Sequence, residues 1–313
     1  MKPRRASGFT LVELAVAMVI IGLLLAAAMI PLAGQIEIRD VASTQATMDE
    51  IKDAIIGFVQ ANGRLPCPAI PTTAAGSTDA TTNEPAGVED TNPYPVPTSA
   101  PLQFVCRRSF GVVPWTTLGV PERDVWGRRF GYRVSAAYAD ALPGSGVTDT
   151  WATATTTSPA SSGNQNSTVT CNPPTNPAMP VPTLASFALC TLGDIAVFNP
   201  TPQSKAPAAA IATGIPAIII SYGKNGIGGY QSSGIAVSGS PATHEAANRL
   251  GTTQSTPTGS YASWTFYTRE RSPQASSCSD TAAGSPFCEF DDLLTWISPS
   301  TLTSRMVSAG RLP

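Results

Sequence analysis

The single histidine, His244, opens the string His244-Glu245-Ala246-Ala247-Asn248, which begins like the zinc motif His-Glu-x-x-His. Asn248 holds the second ligand position and no other histidine exists to replace it, so zinc hydrolysis is excluded. A serine hydrolase would need His244 as its base, yet no Gly-x-Ser-x-Gly elbow presents a nucleophile. The chain is therefore not expected to be an enzyme. Gly223-Lys224-Asn225-Gly226-Ile227-Gly228-Gly229 is not a phosphate loop, because the Gly-Lys-Ser/Thr ending is missing, and Asn-Gly after an apolar run signals a hairpin. Arg107, Arg108, Arg123, Arg128, Arg129 and Arg133 lie near Phe104, Trp126 and Tyr132, a combination that suits nucleic-acid phosphates. A solvated strand face balanced by Glu122 and Asp124 is the simpler expectation. Trp115, Trp126, Trp264 and Trp296 are expected to pack a sheet against a helix and not to bind sugars.

The cysteines, Cys67, Cys106, Cys171, Cys190, Cys278 and Cys288, include no Cys-x-x-Cys pair, which favours disulfides in an oxidising compartment over zinc. The six allow fifteen pairings, and closeness in sequence favours 67 with 106, 171 with 190 and 278 with 288. At 313 residues and 42% hydrophobic the chain is no unstructured polyelectrolyte, while 13% charged residues, 26 Gly and 29 Pro describe an exported, loop-rich protein. The formal charge of −2 supplies no basic field, so nucleic acid is not an expected partner.

Lys2, Arg4 and Arg5 precede an apolar run from Phe9 to Ala33 whose only charged side chain is Glu13. The run is long enough to span a bilayer, and its basic end belongs in the cytoplasm, which places the chain beyond Ala33 on the side where cysteines oxidise. A cleaved secretory signal and a plain anchor both leave Glu13 unexplained, since a carboxylate in hydrocarbon is costly and marks function. A secretory signal also passes directly into its apolar core, whereas here Ala6-Ser7-Gly8 intervenes.

The string Gly8-Phe9-Thr10-Leu11-Val12-Glu13 closely resembles the processing site of type IV prepilins and type II secretion pseudopilins. The resemblance implies cleavage after Gly8 by a membrane-embedded prepilin peptidase, N-methylation of Phe9, and a role for Glu13 in subunit assembly. Ile21-Gly22 matches the Ile-Gly of that helix, and Pro31 sits one place later than is common. More weakly, Leu65-Pro66-Cys67-Pro68, Asp124-Val125-Trp126-Gly127-Arg128 and Ser221-Tyr222-Gly223-Lys224-Asn225-Gly226 resemble a large pilin-like group. The last is similar to the Gly-rich loop of the major pseudopilin, a loop that binds calcium; its oxygen ligands do not line up in the sequence, and neither a metal nor another cofactor is expected.

Cleavage would leave a positive amine on Phe9 at the start of a helix in apolar surroundings, where an isolated charge is penalised unless paired. Glu13, about 6 Å further along the axis at ~1.5 Å per residue, is the nearby counter-charge. It can meet its own amine or that of a neighbouring parallel helix, and spacing leaves both open; the resemblance implies the second.

Beyond Pro31 apolar residues at Ile38, Val41, Met48, Ile51, Ile55, Phe58 and Val59 recur at three- to four-residue steps, and Asn62-Gly63 supplies a stop. One kinked helix over Phe9–Ala61 is expected. Pro66–Pro101 reads as a long surface loop without a regular core. Strands are expected at Phe110–Val113, Val125–Val134, Asp194–Phe198, Ala217–Tyr222 and Ser263–Arg269, followed by a short helix over Asp291–Ile297 and another turn over Leu302–Ala309. Segments 144–183 and 231–260 read as exposed insertions. The fold class is α+β: a long N-terminal kinked helix, with a membrane half and an amphipathic half, packed on an antiparallel sheet. The domains are a leader at 1–8, a transmembrane and assembly helix at 9–33, an amphipathic helix at 34–63 and a periplasmic or extracellular β-rich region at 64–313. The expected protein is a non-enzymatic minor pilin, inserted in the inner membrane and drawn into a type IV pilus-like filament. Its partners would be prepilin peptidase, other pilin or pseudopilin subunits and an inner-membrane assembly platform. A type II secretion pseudopilin and a membrane-anchored adhesin that never polymerises are the alternatives.

Overall fold

The computed structural model describes residues 10–93, 104–139, 187, 193–201, 205, 210–249, 264–273 and 275–312. In chain order these form α1 (Leu11–Asn62), β1 (Thr91–Pro93), β2 (Phe104–Cys106), β3 (Phe110–Val112), α2 (Trp115–Leu118), β4 (Gly131–Val134), α3 (Ala136–Ala139), β5 (Ile195–Phe198), β6 (Ala210–Ile215), β7 (Ala217–Ser221), α4 (Thr243–Asn248), β8 (Trp264–Tyr267), β9 (Leu293–Ile297) and α5 (Pro299–Ser308). Helices and antiparallel or mixed sheets together make an α+β architecture. The chain divides into two compact units, Met1–Ala46 and Thr47–Pro313.

Within the second unit, α1 turns Met48, Ile51, Ile55, Ile56 and Val59 inward, a helical stripe that is buried while Asp49, Glu50 and Asp53 stay in solvent. Its end is closed group by group. Gly63, at φ +74°, takes the left-handed conformation that suits glycine and donates its N–H to the Val59 carbonyl at 2.7 Å. The Asn62 amide donates to the Phe58 carbonyl at 2.9 Å, and Arg311 donates from Nε to the Gln60 carbonyl at 2.8 Å and from Nη2 to that of Ala61.

Among the described residues one sheet runs β3-β4-β7-β9, antiparallel throughout, and another runs β6-β5-β8. The apolar run Ala217-Ile218-Ile219-Ile220 fills the buried centre of the first sheet, as β-branched residues flanked by partners on both sides do. Ile218, Ile220 and Tyr222 join Ile195, Val197, Ile215 and Phe266 of the second sheet in one core cluster, against which Trp264, Leu294 and Trp296 pack. Phe110–Val112, Ile195–Phe198, Ala217–Ser221 and Trp264–Tyr267 are strands where the sequence indicates them.

Five expectations are corrected. Of Val125–Val134 only Gly131–Val134 is strand, because the Asp124 carboxylate accepts from the Trp126 and Arg128 N–H groups and curls 124–128 into a turn. Asp291–Ile297 does not form a helix: Leu293–Ile297 is β9, paired residue for residue with β7. The sheets are not wholly antiparallel, since β8 runs parallel to β5. Pro66–Pro101 does carry core, with Cys67, Ala69 and Ile70 buried and Ala69 bridged to Val112. The described part of 231–260 is not a plain exposed insertion, because α4 buries His244, Glu245 and Asn248. Segment 144–183 lies outside the described residues.

Candidate functional site

At the N-terminus Thr10 and Glu13 form a reciprocal cap. Both the N–H and the hydroxyl of Thr10 donate to Glu13 Oε2 at 2.9 Å, and the Glu13 N–H donates back to the Thr10 hydroxyl at 3.3 Å. Thr-x-x-Glu ahead of an apolar run is a capping box, which satisfies N–H groups that a helix start leaves without partners. Charge pairing alone points Glu13 at an amine and misses Thr10, although the three-residue spacing signals the cap. Gly8 and Phe9 lie outside the described residues.

Beyond the cap the first unit presents bare apolar surface: Leu11 is 85% exposed, and Val12, Leu14, Val16, Met18, Val19, Ile20, Ile21 and Leu23 are exposed with it. A ring of large apolar side chains on all sides of a helix belongs in lipid or among other helices. Among the described residues no helix is long and apolar enough to cross a membrane, and the side chains of 24–34, which fall in the expected span 9–33, lie outside the described residues.

In the second unit the arginine cluster divides: Arg129 and Arg133 are buried, whereas Arg107 and Arg123 are exposed. The Arg129 side chain is fully buried, donating to Glu122 Oε1 and to the carbonyls of Pro71, Thr73 and Ser232, with its guanidinium 4.6 Å from the Trp115 ring centre. Arg107 and Arg108 pair with Asp90, and Arg133 stacks on Trp264 and meets Asp194. These four arginines tie segments together, whereas Arg123 is exposed, 4.0 Å from Glu122.

His244 is enclosed as well. Its ring stacks on Tyr267 at 4.3 Å, its Nδ1 accepts from Arg269 Nε at 3.2 Å, and its backbone N–H donates to Asp280 Oδ2. Burial, with Arg269 and Lys205 adding to it and Asp280 opposing, pushes the imidazole down to about 4. A neutral, covered ring of this kind supports packing. The same cluster grips the loop closed by the Cys278–Cys288 disulfide: Arg269 Nη2 donates to the Cys288 carbonyl, Asp280 Oδ1 accepts from the Cys288 N–H, and the buried Lys205 ammonium donates to the carbonyls of Ser279, Ser285 and Pro286. A second disulfide joins Cys67 to Cys106. Cys171 and Cys190 lie outside the described residues.

Around the turn after β7 the structure assembles oxygens that the sequence order kept apart. Glu245 from α4 and Asp291 and Asp292 from the approach to β9 bring carboxylate oxygens within 4.8 Å of one another, all buried. Gly223, at φ +58°, is what admits Asp291: a Cβ there would lie 2.5 Å from the Asp291 carboxyl carbon. The Asn225 N–H donates to Asp291 Oδ2 at 2.8 Å, and its amide donates to Glu245. Oδ1 of Asp291 and Oδ1 of Asp292 are buried without a hydrogen-bond partner. Burial pushes Glu245 up to about 7, with Asp291 adding to it; burial likewise raises Asp291 and lifts Asp292 well above the usual carboxylate range. An all-oxygen set of carboxylates with unspent lone pairs fits a hard cation such as calcium and suits neither zinc nor copper. Sequence reasoning missed this set because its members are separated by 46 residues.

No curated protein and no solved structure matches the chain. Residues 3–29 match the family model described as the prokaryotic N-terminal methylation motif, so the chain carries at its N-terminus the class III signal of type IV pilins and pseudopilins.

Proposed function

We propose that the protein is a pilin-like structural subunit, cleaved after Gly8, N-methylated on Phe9 and drawn from the inner membrane into a type IV pilus-like filament as a minor component. The observation that carries this reading is the methylation motif at 3–29 set directly on a capped helix whose apolar side chains are bare. Such a helix is costly in water, and a bundle of like helices covers it after extraction from lipid. Glu13 then exchanges its local Thr10 partner for the amine of a neighbouring Phe9. The enclosed His244 supports a non-enzymatic role, and the ion pairs of Arg107, Arg108, Arg129 and Arg133 with carboxylates of the same fold support a role without a nucleic-acid partner.

One observation favours the pseudopilin alternative. The oxygen cluster of Glu245, Asp291 and Asp292 sits on the Gly-rich turn similar to the calcium-binding loop of the major pseudopilin. The test is intact-mass analysis of the protein from cells with and without prepilin peptidase, followed by assay of sheared filaments. A mature chain starting at N-methylated Phe9 and recovered with filaments is expected. A terminus at Met1 or near Gly34 refutes the reading, and correct processing without recovery in any filament points to an anchored adhesin.

A further inference from the structure

Glu245 lies outside the stretches that resemble other pilin-like chains, on a six-residue helix that comes after the Gly-rich turn. Yet it faces that turn. Its Oε1 accepts from the Asp291 N–H at 3.1 Å and from the Asn225 amide at 3.2 Å, so α4 is tied to both the turn and the start of β9. Asp292 Oδ2 accepts from the Asn248 amide at 2.9 Å, a second link from α4 to the same strand. Asp291 is 7% and Asp292 3% exposed, and each keeps one buried oxygen, Oδ1, that no donor reaches. Arg271 offsets part of the Asp291 charge, whereas Glu245 and Asp292 repel one another. Three carboxylates at this separation are electrostatically incomplete, and a divalent cation supplies the missing charge and uses the idle lone pairs together.

We propose that Glu245 is a ligand, with Asp291 and Asp292, of a calcium-type divalent cation, and that binding of this cation fastens α4 onto the turn after β7 and onto β9. The pairing of α4 with the sheet is then cation-dependent. The consequence reaches the adjacent residue, His244, which holds Arg269 and Asp280 beside the Cys278–Cys288 loop. Cation loading thereby stabilises a loop-bearing surface and not the turn alone.

The experiment uses full-length protein in detergent, stripped with chelator and titrated calorimetrically with CaCl2 and, separately, MgCl2. Hydrogen exchange over Thr243–Asn248 is followed in parallel. One calcium per chain, selectivity over magnesium and increased protection of α4 are expected. Glu245→Gln should weaken calcium at least tenfold and abolish the gain in α4 protection. Its melting temperature in chelator should equal or exceed the wild-type value, since the substitution removes a repelling charge. Asp292→Asn serves as the second variant, with the same loss of affinity expected. Absence of calcium binding to the wild-type chain overturns the proposal. Calcium affinity unchanged by Glu245→Gln also overturns it, leaving a turn-only site in which α4 has no part.

Discussion

Arg64 and Glu89 form a two-pronged ion pair in which Nη1 meets Oε2 and Nη2 meets Oε1, each at 2.8 Å. The pair sits just after α1, and Glu89 Oε2 also accepts from the Cys67 N–H, so one carboxylate organises the exit from the helix and the first disulfide. Both side chains are largely buried, at 6% and 16% exposure. Removing one member of such a pair strands the other, at a typical cost of about 3 kcal/mol or somewhat more. Arg64→Met and Glu89→Gln should each lower stability by about that amount, while the double substitution should recover part of it. Urea melts arranged as a double-mutant cycle provide the check, and additive losses would contradict the coupling.

The loop closed by Cys278 and Cys288 is held twice over. The chain-entropy model gives a ten-residue closure about 3 kcal/mol. Lys205 adds its three carbonyl contacts and lies 4.7 Å from the Phe287 ring centre. Replacement of both cysteines by serine should therefore lower the melting temperature yet leave the loop resistant to limited proteolysis. Lys205→Met in the same background should open it, with cleavage appearing between residues 279 and 287.

His244 should contribute a part of the stability that is lost in acid. Its folded pKa of about 4 lies below the ordinary value of 6.5, so the unfolded chain binds more protons between those limits. Stability contributed by the neutral ring is fully present above pH 6.5 and falls as pH drops through 4. Charging the ring places a cation beside Arg269 and Lys205, and Asp280 offsets only part of this. The difference in stability between wild type and His244→Gln should shrink steadily from pH 7 to pH 4. A pH-independent difference would show that the ring does not titrate in the fold.

At the N-terminus, Glu13→Leu should leave membrane insertion and cleavage after Gly8 intact, since Leu lowers the cost of burial and the cut lies on the cytoplasmic side. Incorporation into filaments should fall sharply. Thr10→Ala removes the hydroxyl that both accepts from the Glu13 N–H and donates to its carboxylate, without removing the carboxylate itself. It should weaken the helix start and retain assembly. The readout is the ratio of filament-associated to membrane-retained protein, and normal incorporation of Glu13→Leu would show that Glu13 does not organise assembly.

What could be read from the sequence was whatever short-range pattern dictates. Gly8 to Glu13 is a contiguous string, and Ile218-Ile219-Ile220 forms a strand wherever it is buried on both faces. Asp291-Asp292 ahead of an apolar stretch carries the charge signature of a helix start, and that local preference lost to pairing with β7, whose inner edge required a partner. Arg129 looked like part of a surface cluster because the carbonyls of Pro71, Thr73 and Ser232 that bind it come from distant segments. The oxygen cluster was hidden for the same reason: only the topology brings Asn225, Glu245 and Asp291 together.

The last carbonyls of α1 receive their donors from both ends of the domain. Asn62 and Gly63 serve Phe58 and Val59 at once, but Gln60 and Ala61 wait for Arg311, some 250 residues later. During synthesis the stalk-end turn therefore stays open to water until the chain has emerged as far as Arg311. A nascent chain stalled or clipped before Arg311 would carry a frayed helix exit beside its first disulfide, a defect visible to a quality-control protease although every strand was in place.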